Sequence, residues 1–335
     1  MITRRSMVRS TVGLMSFAHV AANAAPKTVQ GIRIGVQSAS FTFSGFDLDK
    51  IIKTMTDLQL DHIDTMSEHV ENYLGAPVDL PGTGRSLPGP RPAQPATGAS
   101  TEEAARQQAA MRQAMMRRMN SPEAKKKRED LRKWRLSVPL EKFRGVRAKF
   151  EDAGLDFYGY NLSFRDDFTE EEIERGFLMA KELGAKVITM SSPVSVLSRV
   201  VPYAEKYGIK TAVHNHSRID ENEIATPESF EKAIAMSKQM WINLDVGHFF
   251  AAGFDPVSFI KQHHGRITNI HLKDRKKDNG PSVALGEGDT PLKDILLLLR
   301  DSKFGIPVEI EHVGPDGPPV EIARCLAFCK EILQQ

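Results

Sequence analysis

The chain has very little cysteine: two in 335 residues, Cys325 and Cys329. Their spacing of four is not the Cys-x-x-Cys of a redox or zinc motif. They fall in a run that reads as the last helix, where they suit a buried apolar face, although export would also permit a disulfide. An excess of charge of one sign is missing too. Forty-five basic and 43 acidic residues leave a formal charge of +2, which predicts neither a nucleic-acid coat nor a membrane coat. No apolar run approaches the roughly 20 residues of a stable membrane span. What is present is a 41% hydrophobic fraction, enough for one large core, and a barrel of about 250 residues fits once tails and insertions are set aside.

Residues 1–25 read as a targeting segment rather than as part of a fold. Arg4, Arg5 and Arg9 form a basic head, Thr11 to Val20 is modestly apolar, and Ala22-Asn23-Ala24 supplies the small-x-small pattern of a signal-peptidase site. The Arg4-Arg5 pair resembles a twin-arginine signal, with Met7 and Val8 where that motif prefers Phe-Leu. An ordinary secretion signal is the alternative. Either one predicts a bacterial protein that is periplasmic or otherwise exported.

From residue 31 onward, β-rich runs alternate with helical periodicity. Strands are expected at 31–37, 61–66, 155–161, 186–190, 209–214, 241–245, 267–272 and 306–311. Helices are expected near 47–59, 139–153, 169–184, 193–207, 227–239, 255–263, 291–300 and 317–333. Thr226-Pro227, Asp255-Pro256 and Thr290-Pro291 each read as a polar cap followed by a first-turn proline. Eight strand–helix units in strict alternation predict an α/β fold, a (β/α)8 TIM barrel occupying 26–335 as a single domain. One insertion, 76–136, breaks the rhythm after the second strand. Residues 76–100 are rich in Pro, Gly and Ser and read as an irregular loop. Residues 101–136 read as a basic helical pair interrupted at Ser121-Pro122, with eleven Lys or Arg against three acids between 106 and 135. A solvated insertion, a lid over the barrel mouth and a docking surface for an anionic partner are all compatible with that composition.

Active sites of such barrels lie at the C-terminal ends of the strands. There, strand five delivers His214, Asn215 and His216, and strand six delivers Asp245, with His248 just beyond. Strand seven delivers His271, Lys273, Asp274 and Arg275, and strand eight delivers Glu309, Glu311 and His312. Imidazoles and carboxylates on four consecutive strands suit one divalent ion, with Mn(II) preferred and Zn(II), Co(II) or Fe(II) as alternatives. Glu309 and Glu311 are two apart and face the same side. Glu311 is nearer the rim and is preferred as ligand over Glu309.

The runs LDVGHFFAAG (244–253), IHLKDR (270–275), LGEGD (285–289) and VEIEH (308–312) resemble the xylose-isomerase-like barrels known as sugar phosphate isomerases/epimerases, over roughly residues 31–333. That resemblance implies metal ligation by Asp245, His271 and Glu311, and a substrate contact by His248. Many members carry Glu at the end of strand five; this chain has His214, like a subset with His-x-His there. The resemblance therefore implies a site of two imidazoles and two carboxylates: His214, Asp245, His271 and Glu311.

A divalent ion in such a site supplies Lewis acidity to a carbonyl oxygen, which acidifies the neighbouring C–H and favours an enediolate. His216, His248 and Glu309 are the candidate catalytic bases. Lys273, Arg275 and Asn161 are the candidate substrate-binding groups. The expected activity is that of a metal-dependent isomerase or epimerase. Its expected substrate is a non-phosphorylated sugar or keto-sugar, because sugar phosphates are intracellular. The alternative is a keto-glycoside or inosol lyase or dehydratase, favoured by the missing strand-five Glu. A DNA-repair endonuclease on the same barrel needs more metal ligands than Asp64, Glu68, His69, Ser191 and Ser192 offer on strands two to four. A non-catalytic periplasmic sugar-binding module keeps the barrel without the chemistry. The expected partners are thus a small carbohydrate and, since such barrels often pair, a second copy in a homodimer; no nucleic acid and no membrane span are expected.

Overall fold

The structure, a computed structural model, describes residues 27–80 and 121–335. The expected targeting segment and most of the expected insertion, residues 81–120, lie outside the described residues. Eight parallel strands form the barrel: β1 (Ile32–Gln37), β2 (His62–Met66), β3 (Asp156–Asn161), β4 (Val187–Met190), β5 (Lys210–His214), β6 (Met240–Asp245), β7 (Ile267–Leu272) and β8 (Val308–Ile310). Each pairs with its sequence neighbours, and β8 pairs with β1 to close the ring. All eight lie where the apolar patterning placed them. A two-residue strand, Thr28–Val29, adds an antiparallel edge to β1.

The helices are α1 (Leu48–Asp57), α2 (Ser67–Tyr73), α3 (Pro122–Ser137), α4 (Glu141–Asp152), α5 (Glu170–Leu183), α6 (Leu197–Tyr207), α7 (Pro227–Ala235), α8 (Val246–Ala251), α9 (Pro256–His263), α10 (Leu292–Ser302) and α11 (Pro318–Leu333). Two of the expected caps form: Thr226 Oγ1 accepts from Ser229 N, and Asp255 Oδ1 from Val257 N. The third does not. Thr290 Oγ1 instead accepts from the Arg275 backbone N–H at 3.1 Å, and α10 begins after Pro291 without a side-chain cap. The short helices α2 and α8 escape the periodicity, because six or seven residues show no repeat.

Alternation along the strands divides the core. Ile34, Val36, Ile63, Ile188, Val213, Leu244, Ile270, Val308 and Ile310 face the helical layer and are buried with its apolar side chains. The complementary positions turn inward and are polar: His62, Asp64, Thr189, Asn243, Asn269, His271 and Glu309 are all buried. Glycine makes room for two of them. A Cβ at Gly35 would lie 2.3 Å from the His62 carbonyl oxygen and 2.7 Å from its ring, and one at Gly159 would lie 2.5 Å from the Asp64 carboxylate.

The end of the barrel away from the site is bound by charge. Asp61 Oδ2 accepts from Arg33 Nε at 2.6 Å and faces His62 Nδ1 at 3.2 Å, while Oδ1 accepts from the Lys27 backbone N–H at 2.6 Å. Burial pushes the Asp61 carboxyl up, but the hydrogen bond and charge of His62 and the Arg33 guanidinium outweigh it and hold the group at about 2 against an ordinary 3.8. A depressed carboxyl stabilises the fold above its unfolded pKa and loses that contribution as pH falls through the folded value. Asp61→Asn is therefore expected to cost about 2 kcal/mol at neutral pH and to flatten the loss of stability between about pH 4 and pH 2. Denaturant unfolding at several pH values checks this; an unchanged acid limb contradicts it.

Helix α3, the described end of the insertion, starts at Ser121, whose Oγ accepts from Ala124 N at 3.1 Å. The Ser121-Pro122 break is thus a helix start. Its arginines bind the barrel's own acids. Arg135 is bidentate on Glu71 of α2 (2.7 and 2.9 Å) and reaches Glu172 of α5 at 3.1 Å. Arg128 and Arg132 take the other Glu172 oxygen at 2.5 and 3.3 Å. For these three residues the basic character serves internal docking. Cys325 and Cys329 are buried free thiols on α11.

Candidate metal centre

At the C-terminal mouth, β5, β6, β7 and the residue after β8 bring His214, Asp245, His271 and Glu311 together, with one ligand atom from each within 4.8 Å of the others. Tertiary hydrogen bonds hold each one. Asn215 exchanges two bonds with the Asp245 backbone, accepting from its N–H at 2.9 Å and donating to its C=O at 3.1 Å, and so locks the ends of β5 and β6 side by side. Asp245 Oδ1 accepts from His248 N at 2.7 Å, which makes Asp245 the N-cap of α8. His214 Nδ1 lies 2.7 Å from Asn243 Oδ1, and His271 Nε2 lies 3.0 Å from Asp64 Oδ2. In each imidazole one nitrogen is oriented by an oxygen acceptor and the other is turned to the cluster, the arrangement that prepares a ring to bind a metal.

Two buried atoms at the centre lack hydrogen-bond partners, Asp245 Oδ2 and His271 Nδ1. His271 Nδ1 stands 3.1 Å from Glu311 Oε2, off the line of a hydrogen bond. Unsatisfied buried polar atoms are costly, and a divalent cation, on displacing the imidazole proton, satisfies both at once. Two imidazoles and two carboxylates fit such an ion. The electrostatics agree. Burial, with the charges of His271 and His216, drives His214 well below its ordinary pKa, so it is neutral. Burial pushes the Asp245 and Glu311 carboxyls up, but Lys273 and the neighbouring histidines outweigh it and keep both below the usual carboxylate range. Burial lowers His271, but the hydrogen bond to Asp64 and the charges of Glu311 and Asp64 carry it up to about 10. A ligand imidazole must be neutral, so binding a cation here displaces that proton.

Around the cluster, Lys273 contacts Glu311 Oε1 and lies 3.4 Å from Asp245 Oδ2. The rings of His216 and His248 stand 5.3 Å and 6.3 Å from that of His214. The His216 side chain is 46% exposed and the His248 side chain 20%. Asn161 joins from β3: its Nδ2 donates to Thr189 Oγ1 at 3.0 Å, and Thr189 donates to Asp64.

Two expectations are corrected. Glu309 is wholly buried one layer below the mouth, with Oε1 3.0 Å from His62 Nε2 and Oε2 accepting from Asn269 at 3.1 Å. A carboxylate with both oxygens engaged inside the barrel has no route to a substrate proton, so Glu309 is not a base, and Glu311 alone of the pair reaches the cluster. Arg275 is not a free substrate-binding cation. Its five N–H groups face Ser217 Oγ (2.6 Å), His248 Nδ1 (2.8 Å), Asn279 O (3.2 Å) and, twice, Gly280 O (3.0 and 2.6 Å).

Sequence reasoning missed several supports. Asp64 orients His271 across 207 positions of the chain, a pairing that local patterning does not report. The pairings of Asn215 with Asp245 and of Asn243 with His214 are invisible for the same reason. Asp274 is a loop organiser rather than a surface charge: its carboxylate accepts from the backbone N–H of Gly286, Gly288 and Thr290 at 2.8, 2.9 and 3.2 Å. A Cβ at Gly288 would lie 1.8 Å from that carboxylate, so the Gly-x-Gly of 286–288 is a backbone requirement.

The architecture has counterparts among known proteins. The inosose dehydratase of Mesomycoplasma hyopneumoniae (strain 7448) is 27% identical over 227 residues, spanning 53% of this chain and 74% of that protein. The uncharacterized protein MJ1311 of Methanocaldococcus jannaschii is 30% identical over 123 residues, 35% of this chain and less than half, 42%, of that protein. Among solved structures, the IOLI protein with a bound zinc atom superposes with a TM-score of 0.60 at 15% identity, covering 90% of this chain and 98% of that one. L-ribulose 3-epimerase superposes at 0.56 with 12% identity, covering 90% and 95%. At those identities the superpositions speak for the fold. The family model described as xylose isomerase-like TIM barrel matches residues 128–332, more than half of the chain. This protein belongs to the xylose isomerase-like TIM barrel family.

Proposed function

We propose that this protein is a divalent-metal-dependent enzyme that isomerises or epimerises a non-phosphorylated sugar or keto-sugar by moving the proton beside its carbonyl. The observation that carries the reading is the convergence of His214, Asp245, His271 and Glu311 within 4.8 Å at the barrel mouth. A divalent cation held there, Mn(II) by preference, supplies Lewis acidity toward the carbonyl oxygen. The protein's own groups do the rest. In this reading His216 takes the proton, supported by its exposure and its ring lying 5.3 Å from that of His214. Asn161, at the end of β3, hydrogen-bonds a substrate hydroxyl in this reading. Lys273, already paired with Asp245 and Glu311, and Arg275, fully engaged, offer no free cation for a phosphate, which supports an unphosphorylated substrate.

A second reading, dehydration of an inosose or elimination from a keto-glycoside, is favoured by two observations. His214 stands where a second carboxylate would make proton transfer two-faced, and the matched Mesomycoplasma relative is an inosose dehydratase. The same proposal has residues 1–25 removed on export and the remainder, 26–335, forming a single domain outside the cytoplasm. Among the described residues no helix is long and apolar enough to cross a membrane.

The test is the purified protein loaded with Mn(II) or Zn(II) and incubated in deuterated water with free sugars, keto-sugars, inososes and sugar phosphates, with products followed by NMR. Deuterium next to the carbonyl in a product of unchanged composition supports isomerisation or epimerisation. Loss of water or of an aglycone moves the assignment to the second reading. Turnover confined to phosphorylated sugars, or no exchange with any of them, overturns the proposal.

A further inference from the structure

His248 approaches the ligand cluster with one nitrogen and Arg275 with the other. Its Nε2 lies 3.8 Å from Asp245 Oδ2, and its Nδ1 lies 2.8 Å from Arg275 Nη1. A guanidinium carries donors only, so Nδ1 must accept, and the single proton of the neutral ring resides on Nε2. We propose that Arg275 is a positioning residue that holds His248 as its Nε2–H tautomer, so that His248 presents a hydrogen-bond donor to a substrate oxygen beside the metal ligands.

The hairpin that carries Arg275 explains how the guanidinium is aimed. Asp274–Arg275 pairs antiparallel with Ser282–Val283. The turn between them passes through Asp278 and Asn279, both with left-handed φ (55° and 56°), a conformation these two residue types tolerate better than most. Arg275 holds the Gly280 carbonyl with Nε and Nη2 and the Asn279 carbonyl with Nη2. Asn279 N in turn donates to Ala251 O at 2.8 Å, at the end of α8, the helix that presents His248. Arginine, hairpin and helix therefore form one closed hydrogen-bonded frame. Ser217, on the loop after β5, closes its fourth side through Arg275 Nη1. In this frame His248 is a donor and cannot take up a proton at Nε2, which leaves His216 as the base of the pair. Lysine would keep the charge at this position but not the planar fork that reaches four acceptors.

The tautomer can be read without a substrate. Two-bond 15N–1H NMR of the full chain labelled with 15N-histidine, with the His248 signals assigned by their disappearance in His248→Asn, distinguishes Nδ1–H from Nε2–H. The expected wild-type pattern is a neutral Nε2–H ring. Arg275→Met is expected to turn it into a tautomer mixture, and Arg275→Lys to retain part of the bias. A wild-type ring protonated at Nδ1, or an Arg275→Met spectrum with the Nε2–H form unchanged, overturns the proposal. The kinetic consequence rests on the function proposed above. With a turned-over substrate, Arg275→Met should lower kcat by roughly 10- to 100-fold with KM nearly unchanged, the loss usual for an orienting partner, and Arg275→Lys should recover part of it. Because the NMR pattern is independent of turnover, failure of the functional reading and failure of the tautomer lock give different results.

Discussion

Asp245→Asn is expected to abolish stoichiometric binding of Mn(II) or Zn(II), and with it the rise in melting temperature that a saturating ion gives the wild-type protein. The substitution is chosen because it separates two duties of one side chain. Asp245 Oδ1 caps α8 through His248 N, and an Asn oxygen can keep that bond. Oδ2, buried and without a hydrogen-bond partner, loses its charge and its character as a ligand. An ion that binds only the folded state stabilises it by about 2.7 kcal/mol at a hundred times its Kd, and that increment should vanish. Activity on any substrate that wild type turns over should fall on the order of a thousandfold, since several kcal/mol of charge stabilisation go with the ion. Asp64→Asn should be milder. Asp64 touches His271 at 3.0 Å without facing the cluster itself, and an orienting partner of a ligand typically governs about 10- to 100-fold in metal affinity. Elemental analysis and calorimetric titration read both variants. Full metal occupancy in Asp245→Asn would remove the basis for the site.

Arg135→Met is expected to destabilise the protein by about 3–5 kcal/mol, the usual cost of removing one partner from a buried ion pair. Arg135 is 7% exposed and lies between Glu71 and Glu172, both buried, with its guanidinium also 5.2 Å from the Phe168 ring. Burial pushes the Glu71 carboxyl up and the arginine's charge and hydrogen bond pull it down. Without Arg135, Glu71 must take up a proton or leave the interior. The methionine fills the space, so the loss measures charge rather than a cavity. Combining it with Glu71→Gln, which makes that partner neutral, should recover part of the stability. Chemical denaturation of the single and double variants checks the coupling; a double variant no more stable than the single one would show that docking of α3, not charge pairing, sets the value. The expected effect on the metal site is small, because none of these residues supplies a ligand.

How much was legible depends on how local the determinant is. The eight barrel strands follow from short apolar runs and the helices between them from wider periodicity, and both signals lie within one turn or a few residues of the chain. The choice of Glu311 over Glu309 was half legible. Period-two alternation puts both on the inner face, and depth along β8 then separates a rim ligand from a buried partner of His62. The charge of 122–137 was legible but its purpose was not, because the acids it answers, Glu71 and Glu172, lie at 64 and 37 positions' distance from Arg135.

By itself the sequence determined the alternating fold, the rim on which the chemistry is gathered and the donor types presented there, since strand period and residue chemistry are properties of short segments. Only the closed barrel decided which nitrogen of each imidazole faces inward, that Asp64 stands behind His271, that Glu309 is sealed below the mouth and that Arg275 is held by the protein rather than free for a ligand. Those outcomes depend on side chains from distant strands competing for the same few acceptors, and the competition exists only after the ring has closed.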